Sequence, residues 1–179
     1  MKWAMFGYRE GHEAKNDRQG EAMTVEATVA AGRVHEFTTR SGADTVAVGR
    51  KLAKLLKPPQ LLLLTGDLGT GKTTLVKGIA QALEAAEPDE VTSPTFTLLH
   101  EYDGVREGKP VKLYHLDVYR LEGERQLESL GLDDLLTDDA LVLVEWGEKF
   151  KSLKKRATGE IAIKAAGGDE RKITVTLKD

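Results

Sequence analysis

The chain contains no cysteine. That excludes disulfides, thiolate metal sites and a cysteine nucleophile, and it suits a reducing compartment. Aromatic residues make up only 6%, and the one asparagine is Asn16. Without an Asn-Lys-x-Asp segment downstream, the chain has no means of reading guanine in the way GTPases do. Apolar runs are short: none approaches the roughly 20 residues that a membrane-spanning helix requires. The opening stretch MKWAMFGYREGHEAKNDRQGE has no apolar signal core, so a cytoplasmic protein with no membrane contact is expected. Charge of one sign is also scarce in excess. The net value is −3, so any contact with a polyanion has to come from a local patch.

What is present suits one domain. Of the 179 residues, 40% are hydrophobic and 31% charged, ordinary values for a globular chain with a core. Residues 1–33 mix Gly, Glu, Lys, Asn and Asp without a period and read as a disordered leader, with Met23 as an alternative start. The domain is expected over residues 34–179. Val34–Thr39 alternates weakly, as an edge strand does. Ser41 then caps a helix carrying Val48, Leu52 and Leu55/Leu56 on one stripe, ended by Pro58-Pro59. Leu61–Leu64 is a wholly apolar run, as in a parallel strand covered on both faces. Leu75, Ile79 and Leu83 form a second helical stripe. Val111–Tyr119 and Leu141–Trp146 read as strands, with a helical stretch over Glu122–Leu136 broken at Gly131. The segments EIAIKA and KITVTL flank Gly167-Gly168 as a hairpin. The expected fold is therefore α/β: a P-loop NTPase-type, mostly parallel sheet flanked by helices, with an antiparallel C-terminal hairpin.

Between the leucine run and the second helix lies Gly66-Asp67-Leu68-Gly69-Thr70-Gly71-Lys72-Thr73, which fits G-x-x-x-x-G-K-[ST]. Glycines let backbone N–H groups turn inward and approach a polyphosphate where a Cβ would collide. The helix that follows presents its positive end to the same anion. Lys72 offers an ammonium to the β- and γ-phosphates, and the Thr73 hydroxyl suits Mg²⁺.

Such a site also needs a carboxylate at the end of a neighbouring apolar strand. Asp117, after VKLYHL, and Glu145, after LVLV, both qualify. In extended geometry Leu113, His115, Asp117 and Tyr119 share one face, placing His115 and Tyr119 beside Asp117. The segment Val91–Tyr102, VTSPTFTLLHEY, reads as a loop able to sense the γ-phosphate, with hydroxyls at Thr92, Ser93, Thr95 and Thr97.

Four blocks in this order, GDLGTGKTT, SPTFTLLHEY, LYHLDVYRL and LVLVEWGEKF, resemble the bacterial TsaE (YjeE) family, small P-loop ATPases required for threonylcarbamoyladenosine in tRNA. The resemblance runs from about Val34 to the C-terminus. It implies ATP and Mg²⁺ as cofactors, with TsaD and TsaB as partners and tRNA reached through that complex. Gly66, Gly69, Thr70, Gly71, Lys72, Thr73 and Thr74 would contact the nucleotide phosphates, with Thr73 and Glu145 as metal ligands. Asp117 would be the Walker-B-like acid, completing a catalytic set with Lys72 and Thr95, and Trp146 would lie beside the nucleotide. The family places adenine near the first strand–helix junction and the C-terminal hairpin, which points to Ser41 and Arg171. The leader is longer than the family usually carries. Lys149, Lys151, Lys154, Lys155 and Arg156 form a basic cluster denser than its pattern, read as a solvated face or as a contact to tRNA or an acidic partner. Two other readings stay open: a nucleotide-dependent adaptor without essential hydrolysis, and a small-molecule kinase.

Overall fold

The computed structural model describes residues 24–29 and 32–178. One eight-stranded sheet runs through them in the order β1-β2-β8-β7-β3-β6-β5-β4. The strands are β1 (Thr24–Val29), β2 (Gly32–Thr39), β3 (Gln60–Thr65), β4 (Leu99–Arg106), β5 (Lys109–Asp117), β6 (Ala140–Glu145), β7 (Gly159–Gly167) and β8 (Glu170–Leu177). The central strands β7, β3, β6 and β5 pair in parallel, and the outer pairings are antiparallel. This is the expected α/β architecture with its C-terminal hairpin.

The apolar runs explain the centre. Leu61–Leu64 and Leu141–Val144 are buried on both faces of the sheet, because crossover connections cover both sides of parallel strands. Leu62, Leu64, Leu141 and Leu143 face one core with α1 (Gly42–Leu55) and α2 (Lys72–Ala82). Leu61, Leu63, Val142 and Val144 face the other, closed by α3 (Glu124–Glu128), α4 (Leu132–Leu135) and α5 (Lys151–Arg156). Ser41 caps α1 through a 3.0 Å bond from the Asp44 amide, as the sequence implied. Gly131, at φ 63°, breaks α3 from α4.

Helices α1 and α2 touch through glycines. A Cβ on Gly78 would lie 2.0 Å from the Val46 carbonyl oxygen, and one on Gly49 would lie 2.3 Å from that of Leu75. This close approach seats α2, and with it the loop that precedes it, against the rest of the fold.

Three features differ from the expectations. Val34–Thr39 is not an edge: β2 lies between β1 and β8. Strand β1 comes from the segment assigned to the leader, where Thr24–Val29 pairs antiparallel with β2 over Thr24↔Phe37 to Val29↔Gly32. Residues 1–23, 30 and 31 of that segment lie outside the described residues. The loop read over Val91–Tyr102 gives way at Leu99 to β4, an edge strand whose alternate residues are solvent-exposed. Its charges hid it, since polar edges are how sheets avoid further pairing. No helix among the described residues is long and apolar enough to cross a membrane.

Gly78→Ala should overpack the α1–α2 contact and destabilise the fold by about 1–3 kcal/mol. Thermal unfolding would show this as a fall in Tm of several degrees.

Candidate functional site

At the end of β3 the chain turns sharply at Gly66, φ 141°, where a Cβ would stand 2.3 Å from the Ile163 carbonyl oxygen of β7. Gly69 and Gly71 also have positive φ, 76° and 106°. The loop is pinned by Thr70, whose hydroxyl donates to the Asp67 carbonyl at 2.9 Å. Gly71 caps α2 and brings no side-chain acceptor to its first-turn amides, so the positive end of the helix faces the loop's concavity. Lys72 is only 5% exposed. Its Nζ donates to the carbonyls of Gly66 and Asp67 at 2.7 and 3.0 Å and lies 4.5 Å from the Trp146 ring centroid.

The acids come from the carboxyl ends of the next two parallel strands, the usual place for a site in an open α/β sheet. Asp117 of β5 and Glu145 of β6 are register neighbours, both nearly buried at 3% and 4% exposure. Glu145 Oε1 accepts from Thr73 Oγ1 at 3.0 Å and from His115 Nε2 at 2.9 Å. Asp117 Oδ2 accepts from Thr95 at 2.7 Å and Ser93 at 3.2 Å, and its Oδ1 from the Tyr119 amide at 2.9 Å. Ser93 and Thr95 also share a hydrogen bond of 2.8 Å. The loop over 91–98 is thus fastened to the Asp117 carboxylate.

The donor set suits a small hard cation. A hydroxyl and a carboxylate 3.0 Å apart, with a second buried carboxylate in the next register position, match Mg²⁺, which takes few protein oxygens and fills its octahedron with water and phosphate.

Beyond the loop lies a cavity of about 380 Å³ lined by residues of α1's start (Arg40, Ser41, Thr45), of the loop (Gly69, Gly71, Thr74) and of the β7–β8 turn (Asp169, Arg171). Ser41 and Arg171, far apart in sequence, therefore meet here. Arg171 Nη1 donates to the Gly168 and Glu170 carbonyls, both at 2.9 Å. Trp146 sits elsewhere, over Lys72, with the Tyr119 ring at 5.1 Å.

His115 shares a face of β5 with Asp117, and its hydrogen bond goes across to Glu145 on the neighbouring strand. Tyr119 leaves the strand's alternation, since β5 ends at Asp117, and is 55% exposed. Arg40 falls within the strand–helix junction that the resemblance pointed to, whereas Thr45 and Asp169 are additions. The one signal for these two is their proximity to the Ser41 cap and the Gly167-Gly168 turn.

A glycine loop between a buried parallel strand and a helix, with acids closing the next two strands, defines a P-loop NTPase-type protein. Comparison narrows the class. The family model "Threonylcarbamoyl adenosine biosynthesis protein TsaE" matches residues 39–173, and the chain belongs to this family. It is 42% identical over 142 residues to the tRNA threonylcarbamoyladenosine biosynthesis protein TsaE of Bacillus subtilis, covering 79% of this chain and 84% of that protein. To the Treponema pallidum protein of the same name it is 36% identical over 137 residues, covering 76% and 96%. The crystal structure of Bacillus subtilis YdiB superposes with a TM-score of 0.59 at 32% identity, over 89% of this chain and 90% of that one.

Thr95→Val removes the shorter hydroxyl bond to Asp117. Hydrogen exchange at the amides of residues 92–98 should accelerate severalfold, while global stability falls by only about 1 kcal/mol. Unchanged exchange in that loop would contradict the tether.

Proposed function

We propose that this chain is the ATP-binding and ATP-hydrolysing subunit of the machinery that makes N6-threonylcarbamoyladenosine in tRNA, working with TsaD and TsaB in the cytoplasm. Its place in tRNA threonylcarbamoyladenosine biosynthesis follows from the family. The observation that carries the finer reading is the convergence of Lys72, Thr73, Asp117 and Glu145 on one glycine-lined cleft.

The residues divide the work. The amides of Gly69 to Thr74 and the Lys72 ammonium hold the phosphate chain and meet charge that builds on the γ-phosphoryl group as the bond to the β-phosphate loosens. Lys72 exchanges its two loop carbonyls for phosphate oxygens when nucleotide enters. Thr73 and Glu145 are the residues that would hold Mg²⁺, which when bound supplies charge neutralisation across the β- and γ-phosphates. Asp117, with Thr95 and Ser93 on one oxygen, couples the 91–98 loop to the reacting end of the nucleotide and aligns water for in-line attack. The cavity lined by Ser41 and Arg171 has the position and volume for the nucleoside.

The adaptor reading is separable by experiment. Lys72→Ala should abolish nucleotide binding in calorimetry with Mg·ATP. Asp117→Ala should bind ATP within a fewfold of wild type yet lose about 100-fold or more in turnover. In a reconstitution with TsaB, TsaD and tRNA, modification by Asp117→Ala at the wild-type rate would favour an adaptor over a hydrolysis-driven cycle.

The basic cluster divides on inspection. Lys149 donates to the Tyr119 and Leu121 carbonyls, and Arg156 pairs with Asp133. Lys151, Lys154 and Lys155 stand exposed on α5. Reversing these three to Glu should weaken association with the TsaB–TsaD pair, and the loss should shrink as salt rises from low to physiological concentration. Equal binding across a salt titration would assign the lysines to the solvated face.

A further inference from the structure

The cleft accounts for Lys72, Thr73, Asp117 and Glu145 but leaves one buried polar side chain unexplained. His115 is fully buried, and on its face of β5 the preceding alternate residues, Val111 and Leu113, belong to the apolar core. An aliphatic side chain would suit that position. The imidazole instead places Nε2 2.9 Å from Glu145 Oε1 and leaves Nδ1 buried with no hydrogen-bond partner among the described residues. A carboxylate accepts, so Nε2 donates, and Nδ1 is left unmatched. A buried unmatched polar atom lowers stability, yet the fold retains it. No neighbour relieves it: His100, the register partner of His115 on β4, is engaged with Thr97 at 2.9 Å and Tyr102 at 3.3 Å.

We propose that His115 is a positioning residue for the metal ligand, its Nε2–H fixing the Glu145 carboxylate in the orientation that receives Mg²⁺. The Thr73 hydroxyl, the other donor to Oε1, lies on a partly exposed residue of α2 and is itself assigned to the metal. The His115 ring is locked in a closed core. Carboxylates that ligate metals are held in this way by hydrogen-bonding partners behind them. The inference rests on Glu145 serving Mg²⁺, as set out above.

The test compares wild type with His115→Leu, His115→Asn and His115→Gln, each checked for folding by thermal unfolding. ATP affinity is measured by calorimetry in EDTA and again across a Mg²⁺ titration. In EDTA all four should bind ATP within about twofold of one another. The Mg²⁺ concentration for half-maximal tightening should rise about tenfold in His115→Leu. It should rise similarly in His115→Asn, whose amide stops short of Glu145 and which keeps the test available if the leucine variant fails to fold. His115→Gln places an amide N–H near the lost Nε2–H and should recover most of the wild-type response. A Mg²⁺ requirement unchanged in the leucine and asparagine variants overturns the proposal, and so does an equal loss of affinity in EDTA, which marks a merely structural role. Should wild type itself bind ATP with no response to Mg²⁺, the assignment of Glu145 fails first and that of His115 with it.

Discussion

Two carboxylates buried side by side, Asp117 and Glu145, are the constraint around which the rest of the molecule is arranged. On neighbouring strands about 4.8 Å apart, like charges repel by an amount that matters to a marginally stable fold. Among the described residues, neither has a lysine or arginine as a hydrogen-bond partner. Glu145 is held by Thr73 and His115, and Asp117 by Thr95, Ser93 and a backbone amide. Directed hydrogen bonds therefore hold both carboxylates in place at the strand ends. The donors come from α2, from β5 and its end, and from the 91–98 loop, so the two carboxylates tie these to β5 and β6.

The surrounding architecture serves that cleft. The parallel centre of the sheet delivers three strand ends to one edge, and the glycine contact of α1 with α2 sets the height of the loop above them. The antiparallel β7–β8 hairpin brings Asp169 and Arg171 over the far side of the loop, completing the cavity with α1's N-terminus. The 91–98 segment is anchored in the core by Val91 and Leu98 and meets the cleft through the Ser93 and Thr95 hydroxyls on Asp117. Its Phe96 is 83% exposed beneath the Arg120 guanidinium at 4.3 Å.

The legible parts of the chain were those in which local chemistry and global role coincide. The phosphate loop showed itself because close backbone approach leaves only glycine as an option at several positions. The central strands showed themselves because burial on both faces leaves only aliphatic residues. The α1 cap, the Gly131 break and the C-terminal hairpin followed from single residues whose dihedral or hydrogen-bonding preferences are strong. Elements carried by polar edges were harder to see. β4 is written in residues that also make loops, and β1 draws its stability from pairing with β2, which no local pattern advertises. The partner of His115 was not legible for a similar reason: alternation along β5 shows which residues share a face but not which neighbour across the sheet they reach.

By itself the sequence determined the fold class, the phosphate loop with Lys72 and Thr73, the two acids, and membership of the TsaE family. All are properties of contiguous residues or of ordered blocks. Only the tertiary structure decided that Asp117 and Glu145 stand in register, that His115 serves Glu145, that Thr95 and Ser93 fasten to Asp117, and that Ser41 and Arg171 line one cavity. These facts depend on strand order, crossover direction and register. They are settled by the packing of the whole core, through contacts between residues tens of positions apart, and no short stretch of chain encodes them alone.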